Sequence, residues 1–235
     1  MRTHAIVLAV LAMASPLSAQ APRGTFSYTA YGIYEGEAMP PWSMEVEEAD
    51  TLIDGVPAVR SVQRSLPGPD GWIYEYVATW KATDPGVGRS SRRGAGRIPG
   101  RCEVETRPGR ILASVDGAAA REVPVDGVPV PEFAVGRVLA SMRLAPGDSV
   151  RLRPYRCEWG SRSDVRVFEL KGSVRADSLE RAIGGAKEPV LVVTGDLSWP
   201  FEAWIARSDG QVLRVVTPQG SVGQMIEAYT GPRGR

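Results

Sequence analysis

The sequence predicts a mainly β fold of the β-rich α+β kind, and three observations carry that prediction. Short runs alternate apolar and polar residues with a period of two. Pro-Gly, Asp-Gly and related turn signals separate these runs at short intervals. Only one segment, "PEFAVGRVLASMRL", places its apolar residues at clear helical spacing.

The chain opens on "MRTHAIVLAVLAMASPLSAQAP". Arg2 and His4 precede an apolar run from Ala5 to Ala14, too short to span a bilayer, and small residues follow up to Ala19. This is the layout of a secretory signal peptide, so residues 1–19 are expected to leave and the remainder to be exported, periplasmic and soluble. No later apolar run has the length of a transmembrane helix. About 215 residues then remain, which suits one domain. The expected organisation is a leader over 1–19, a single β-rich domain over 20–230 and a disordered tail over 231–235.

The strands read off in order. "TFSYTAYGIYEG" alternates Phe26, Tyr28, Ala30 and Tyr34 against Thr25, Ser27, Thr29 and Tyr31. "WSMEVEE" puts Trp42, Met44 and Val46 on one face and Ser43, Glu45 and Glu47 on the other. "GVPAVRSVQRSL" leads through a Pro-Gly-Pro turn into "GWIYEYVATWKA", whose alternation gathers Trp72, Tyr74, Tyr76 and Trp80 on one face. "RCEVETR", "GRILASV" and "REVPV" follow as short strands.

Val135, Val138, Leu139 and Met142 predict a helix over 131–144, with Pro131 at its start and "APGD" as its stop. Strands resume with "DSVRLRPYRCEW", "DVRVFELKGSV" and "PVLVVTG", with a short helical turn expected around "SLERAI". In the closing pair, "PFEAWIARSDGQVLRVV", Asp209-Gly210 signals a two-residue hairpin turn that sets Trp204 opposite Val215 and Ala206 opposite Leu213.

Charge and composition exclude several functions. Without the leader, 28 basic residues become 27 against 27 acidic ones, so the exported chain is formally neutral. Neutrality argues against nucleic acid as a partner. The single histidine is His4, inside the leader, so the exported chain has no histidine for a triad, a proton shuttle or a zinc site. Lys81, Lys171 and Lys187 stand in no Ser-x-x-Lys spacing, and there is no Gly-x-Ser-x-Gly elbow. Glu45, Glu47, Glu48 and Asp50 alternate with Met44 and Val46, which reads as a solvated strand face rather than a calcium site. Neither an enzyme, a cofactor nor a metal is expected.

Cys102 and Cys157 meet an oxidising compartment after export, and both lie in strands that can be neighbours, so a disulfide is expected, with buried free thiols as the alternative. "DPGVGRSSRRGAGRIPGR" carries five arginines between Arg89 and Arg101 and reads as a solvated Gly-rich loop. Arg89, Arg92, Arg93 and Arg97 are its candidates for contact with anionic head groups or another polyanion at a membrane surface. Its glycine spacing does not fit a phosphate loop.

The aromatic face is the strongest binding candidate. Rings on one strand face serve either as core against a second layer or as the wall of a cavity. Phe26, Tyr28 and Tyr34 repeat the pattern on the first strand, and little helix is available to cover a curved sheet, which favours a cavity.

Three stretches carry a family resemblance: "FSYTAYGIYEGEA", with Gly32, Gly36 and Ala38; the helix "PEFAVGRVLASMRLAPGDSV"; and the terminal "FEAWIARSDGQVLRVVTPQGSVGQMIEAY". Together they resemble a group of uncharacterised exported bacterial proteins whose fold is similar to that of Lol-type lipoprotein carriers. The resemblance implies a curved antiparallel open half-barrel with one or two helices against its concave face. That face would be apolar and suited to lipid or acylated protein. The Arg/Gly stretch and the cysteine pair depart from true lipoprotein carriers, and no catalytic residue comes with the likeness.

The leading expectation is a non-enzymatic envelope protein that holds a lipid, acyl chain or other apolar small molecule against Trp72, Tyr74, Tyr76, Trp80, Phe26, Tyr28 and Tyr34. The alternative is an assembly or scaffold protein that offers its surface to an envelope protein and has no cavity. A carboxylate-based hydrolase comes third, requiring two acidic side chains about 5–9 Å apart in a cleft. The oligomeric state is not readable from the sequence.

Overall fold

The computed structural model describes residues 23–34, 36–65, 73–95, 100–158, 164–180, 187–197, 200–219 and 223–232. The first half holds β1 (Gly24–Tyr34), the two-residue β2 (Glu37–Ala38), β3 (Trp42–Ile53), β4 (Val56–Ser65) and β5 (Ile73–Lys81). It continues with β6 (Asp84–Ala95), β7 (Gly100–Arg107), β8 (Arg110–Val115) and β9 (Arg121–Pro124). After β10 (Pro129–Pro131) come a 3-10 turn, Glu132–Ala134, and one helix, α1 (Val135–Ser141). The second half holds β11 (Ser149–Glu158), β12 (Asp164–Val167), β13 (Leu170–Glu180) and β14 (Lys187–Asp196). β15 (Pro200–Ala206), β16 (Val212–Gln219) and β17 (Gly223–Pro232) complete it.

The first strand joins the two halves. β1 pairs with β3 on one side and with β17 on the other, always antiparallel. From β3 a meander runs through β4, β5, β6, β7 and β8 to β9. From β17 a second run passes through β16, β15, β14 and β13 to β11. β12 and β10 also pair with β11, and β10 does so in parallel. Among the described residues no pairing joins β9 to β10 or to β12, so the sheet is open.

Other bonds bring the two runs face to face. Cys102 on β7 and Cys157 on β11 form a disulfide across 55 residues of chain, with Cα atoms 6.5 Å apart. The hydroxyls of Ser90 on β6 and Tyr155 on β11 lie 2.9 Å apart. Arg121 on β9 reaches Asp164 on β12 at 3.2 Å. Between the two layers Cys102, Val104, Ile111, Ala113, Val115, Val125 and Tyr155 form an apolar cluster.

The main core surrounds α1. Val135, Gly136, Arg137, Val138, Leu139 and Ala140 are all buried, as expected of a helix that is mainly apolar all round. Around it pack Trp80, Val59, Leu152, Leu170, Phe201, Ala203 and Val215. A Cβ on Gly136 would stand 2.7 Å from a methyl of Val215, so only glycine lets the helix approach β16 this closely.

Four sequence expectations are corrected. The helix is shorter than 131–144: Pro131 ends a strand, residues 132–134 form a 3-10 turn, and Met142 is already extended. In "SLERAI", Ser178, Leu179 and Glu180 belong to β13 and pair with Pro189, Glu188 and Lys187, while the remainder lies outside the described residues. Trp204 stands opposite Arg214 rather than Val215, because a bulge follows Trp204 and the turn is longer than two residues. There the Ala206 amide bonds to the Gln211 carbonyl, the Gly210 amide bonds back to Ala206, and Gly210 adopts a φ of 73°. Finally, Arg89, Arg92 and Arg93 lie on a strand, because β6 runs to Ala95 between β5 and β7.

Candidate functional site

The alternation of β5 sends Tyr74, Tyr76, Ala78 and Trp80 to the inner face, paired across to Gly94, Arg92, Ser90 and Gly88 of β6. The rings do not share one environment. Trp80 is 1% exposed and packs in the core around α1. Its Nε1 donates to Ser141 Oγ at 3.2 Å, and that hydroxyl donates to the Val138 carbonyl at 2.7 Å. The indole therefore ties β5 to the end of the helix.

Tyr74 and Tyr76 stay half-buried. Their centroids are 5.5 Å apart in an edge contact, and Tyr76 lies 4.6 Å from the ring of Phe133, in the 3-10 turn before α1. Arg92 sits with its guanidinium carbon 5.2 Å from the Tyr76 centroid. Burial pushes the Tyr76 phenol up to about 12, with the Arg92 charge opposing, and raises Tyr74 in the same direction. Ser65 Oγ accepts the Tyr74 amide at 2.9 Å and holds the start of the strand.

Phe26 and Tyr28 are buried on β1 with Ala30, Met44 and Val46, and Tyr28 meets Tyr229 edge-on at 5.7 Å. The Tyr28 hydroxyl donates to the Val212 carbonyl at 2.9 Å and accepts from Gln211 Nε2 at 2.6 Å. The backbone of Tyr34 ends β1, while Trp72 lies outside the described residues, as does Arg97. The five described rings thus divide between core (Phe26, Tyr28 and Trp80) and a half-buried pair (Tyr74 and Tyr76), and no single described hollow brings them together.

Beside that pair is a small recess of about 40 Å³, lined by Ser90, Arg92, Glu132, Phe133, Tyr155 and Arg156 among others. This is room for about one water molecule. Glu132 lies at its edge, 3.5 Å from Arg156, and burial raises its carboxyl although Arg156 opposes the shift. Larger hollows are open surface features. One of about 440 Å³ lies over β5 to β8, with Val77, Thr79, Arg89, Glu103, Leu112 and Ser114 in its lining. Another of about 690 Å³ lies at the β6–β7 end, beside Arg93, Gly100, Arg101 and Asp116.

The alternation of β6 separates the arginines. Arg92 shares the inner face with Ser90, whereas Arg89 and Arg93 are exposed on the other. That signal is present in "GRSSRRG", where glycine content pointed instead to a loop.

One group of polar residues was missed altogether. Arg137 on α1 is 3% exposed and lies among Glu48 of β3, Glu227 of β17, Gln63 of β4 and Tyr28 of β1. Arg137 bears charge at a helix position with apolar neighbours, but only the folded sheet shows which carboxylates meet it. Among the described residues, no group of three His, Cys, Asp or Glu is placed to hold a metal ion. No helix among them is long and apolar enough to cross a membrane.

Comparison with known families finds no family model that matches the chain, and no curated protein matches either. Among solved structures, the chain is similar to a crystal structure of a β-barrel-like protein of a domain of unknown function, DUF1849, from Brucella abortus. The identity is 10%, the match covers 90% of this chain and 98% of the other, and the TM-score is 0.49.

Proposed function

We propose that the chain is an exported, non-enzymatic protein of the cell envelope that works by offering its outer sheet surface to a protein partner. Its sheet curves as a half-barrel whose concave side is filled by its own helix. The observation that carries this reading is the place of Trp80: the ring expected to line a cavity is buried against α1 and bonded to Ser141. Phe26 and Tyr28 are likewise occupied by protein neighbours. The partner face in this reading is the hollow over β5 to β8, where Val77 and Leu112 lie between Arg89, Glu103 and Glu105. Apolar centres with a charged surround are common in protein interfaces.

A second reading keeps an apolar ligand, and the half-buried Tyr74–Tyr76–Phe133 group with Arg92 favours it. An acyl chain would enter by parting Phe133 from Tyr76, since the adjoining recess of about 40 Å³ is too small to admit one. Arg92 would then meet an anionic head group, in peripheral contact with membrane.

One preparation tests both readings. Protein exported to a bacterial periplasm is purified without detergent, and native and denatured masses are compared. In parallel, a photo-crosslinker at Thr79 or Leu112 is used in the source cells. A single crosslinked protein and a clean native mass are the expected result. A stoichiometric lipid adduct that disappears in Phe133→Ala would replace the first reading with the second.

A further inference from the structure

The Arg137 cluster has an unusual charge balance for a protein interior. Arg137 Nε lies 3.4 Å from Glu48 Oε1, and Nη2 lies 3.6 Å from Glu227 Oε2. Its guanidinium carbon is 5.2 Å from the Tyr28 ring centroid. Arg23 approaches Glu48 at 4.0 Å, but from the rim, where it also holds the exposed Asp50 at 2.7 Å. Glu48 therefore faces two guanidinium groups, while Glu227, only 3% exposed, shares Arg137 with it. Inside the core, two carboxyls meet one fully buried cation. An ionised carboxylate without its own counterion is strongly disfavoured in such a place.

Gln63 Nε2 donates to Glu227 Oε1 at 3.2 Å, a bond that works against protonation of Glu227, while Glu227 Oε2, Gln63 Oε1 and Ser61 Oγ are buried without a hydrogen-bond partner. One amide donor does not supply the counterion that a second buried carboxylate needs. The other groups that face the cluster are phenols: Tyr28 from β1, Tyr229 from β17, and Tyr74 and Tyr76 from β5. Phenols keep their protons through the neutral range, so none of them supplies a compensating charge.

We propose that docking of α1 into the sheet takes up one proton, held by Glu227 as a buried carboxylic acid beside Arg137. The proton comes from solvent and adds to a carboxylate oxygen; no other bond forms or breaks. Arg137 and Glu48 then balance as one cation and one anion, and Glu227 Oε1 keeps the hydrogen bond it accepts from Gln63 Nε2. Burial raises the Glu227 and Glu48 carboxyls, against the opposing charge of Arg137.

A carboxyl raised in the folded state stabilises fully below its ordinary value, and the stabilisation is lost as pH rises through the raised value. The folding constant then falls by as much as tenfold per pH unit per proton. Carboxyls that are lowered, such as Glu169 and Asp177, act with the opposite sign and only in more acid solution.

Glu132 is also raised by burial, so the test is made in a Glu132→Gln background. At about pH 7 this protein is expected to show the infrared carbonyl band of a protonated carboxyl. Its urea midpoint is expected to fall as pH rises above the ordinary carboxyl range. Adding Glu227→Gln should remove both signals and leave a folded protein, since glutamine copies the protonated acid. Absence of the band from the Glu132→Gln protein would overturn the proposal, and so would its survival after Glu227→Gln. If the double variant does not fold, Glu48→Gln is added to the Glu132→Gln background instead: the band should survive, and its loss would place the proton on Glu48 and overturn the proposal.

Discussion

Removing the disulfide perturbs the contact that holds the two runs of the sheet together, and its effect can be worked from the chain. The bridge spans 55 residues. On the loop-entropy model, freeing a span of that length in the unfolded state costs the fold about 4 kcal/mol. Cys102 is fully buried among Val104, Ile111, Val115 and Tyr155, so Cys102→Ala/Cys157→Ala also loses packing. Reduction of the unmutated protein loses the bond alone. With an m-value of about 3 kcal/mol/M, the reduced chain should unfold about 1.3 M lower in urea than the oxidised chain.

The assay is urea unfolding of both forms and the double variant, followed by circular dichroism and intrinsic fluorescence. The reduced protein should keep its native spectrum in water, because Ser90–Tyr155, Arg121–Asp164 and the apolar cluster remain to seat one layer on the other. A loss of less than about 1 kcal/mol would refute the reasoning. It would mean that these contacts survive in the unfolded ensemble and leave the bridge little to constrain.

Two further predictions concern the core. Gly88→Ala should destabilise by about 3 kcal/mol, because the new Cβ would stand 2.2 Å from the backbone oxygen of Thr79. Gly136→Ala should cost less in the same urea assay: its Cβ meets a side-chain methyl of Val215, and alanine recovers about 1 kcal/mol of helix propensity. At high pH, spectrophotometric titration should show several late tyrosinates, Tyr28, Tyr74, Tyr76 and Tyr155, and Tyr76→Phe should remove one of them. The sign is that of a raised acid: stabilisation is complete below the ordinary phenol value and is lost as pH climbs toward about 12. Titration of Tyr76 with the ordinary phenols would show that its hydroxyl is in water.

The strands were legible because their cause is local. Alternation in "FSYTAY" and "WSMEVEE" places Phe26, Tyr28, Ala30, Met44 and Val46 inside, and the inner face of β5 carries Tyr74, Tyr76 and Trp80 as its period of two requires. Where turn length rather than alternation decides, the reading slipped, as at Trp204, since one bulged residue shifts every partner beyond it. Glycine and arginine content hid β6, because a strand paired on both sides tolerates glycines that its neighbours cover.

By itself, then, the sequence determined the β class, the faces of most strands, a single helical segment and the two cysteines available for a bridge. These depend on contacts between residues close along the chain or on composition. Only the tertiary structure decided what the inner face holds. Whether a ring lines a cavity or a core depends on what stands opposite, and opposite Trp80 stands α1, more than fifty residues later in the chain. The same holds for Arg137, whose partners Glu48 and Glu227 come from opposite ends of the sequence. Long-range pairing sets that geometry, and no local pattern encodes it.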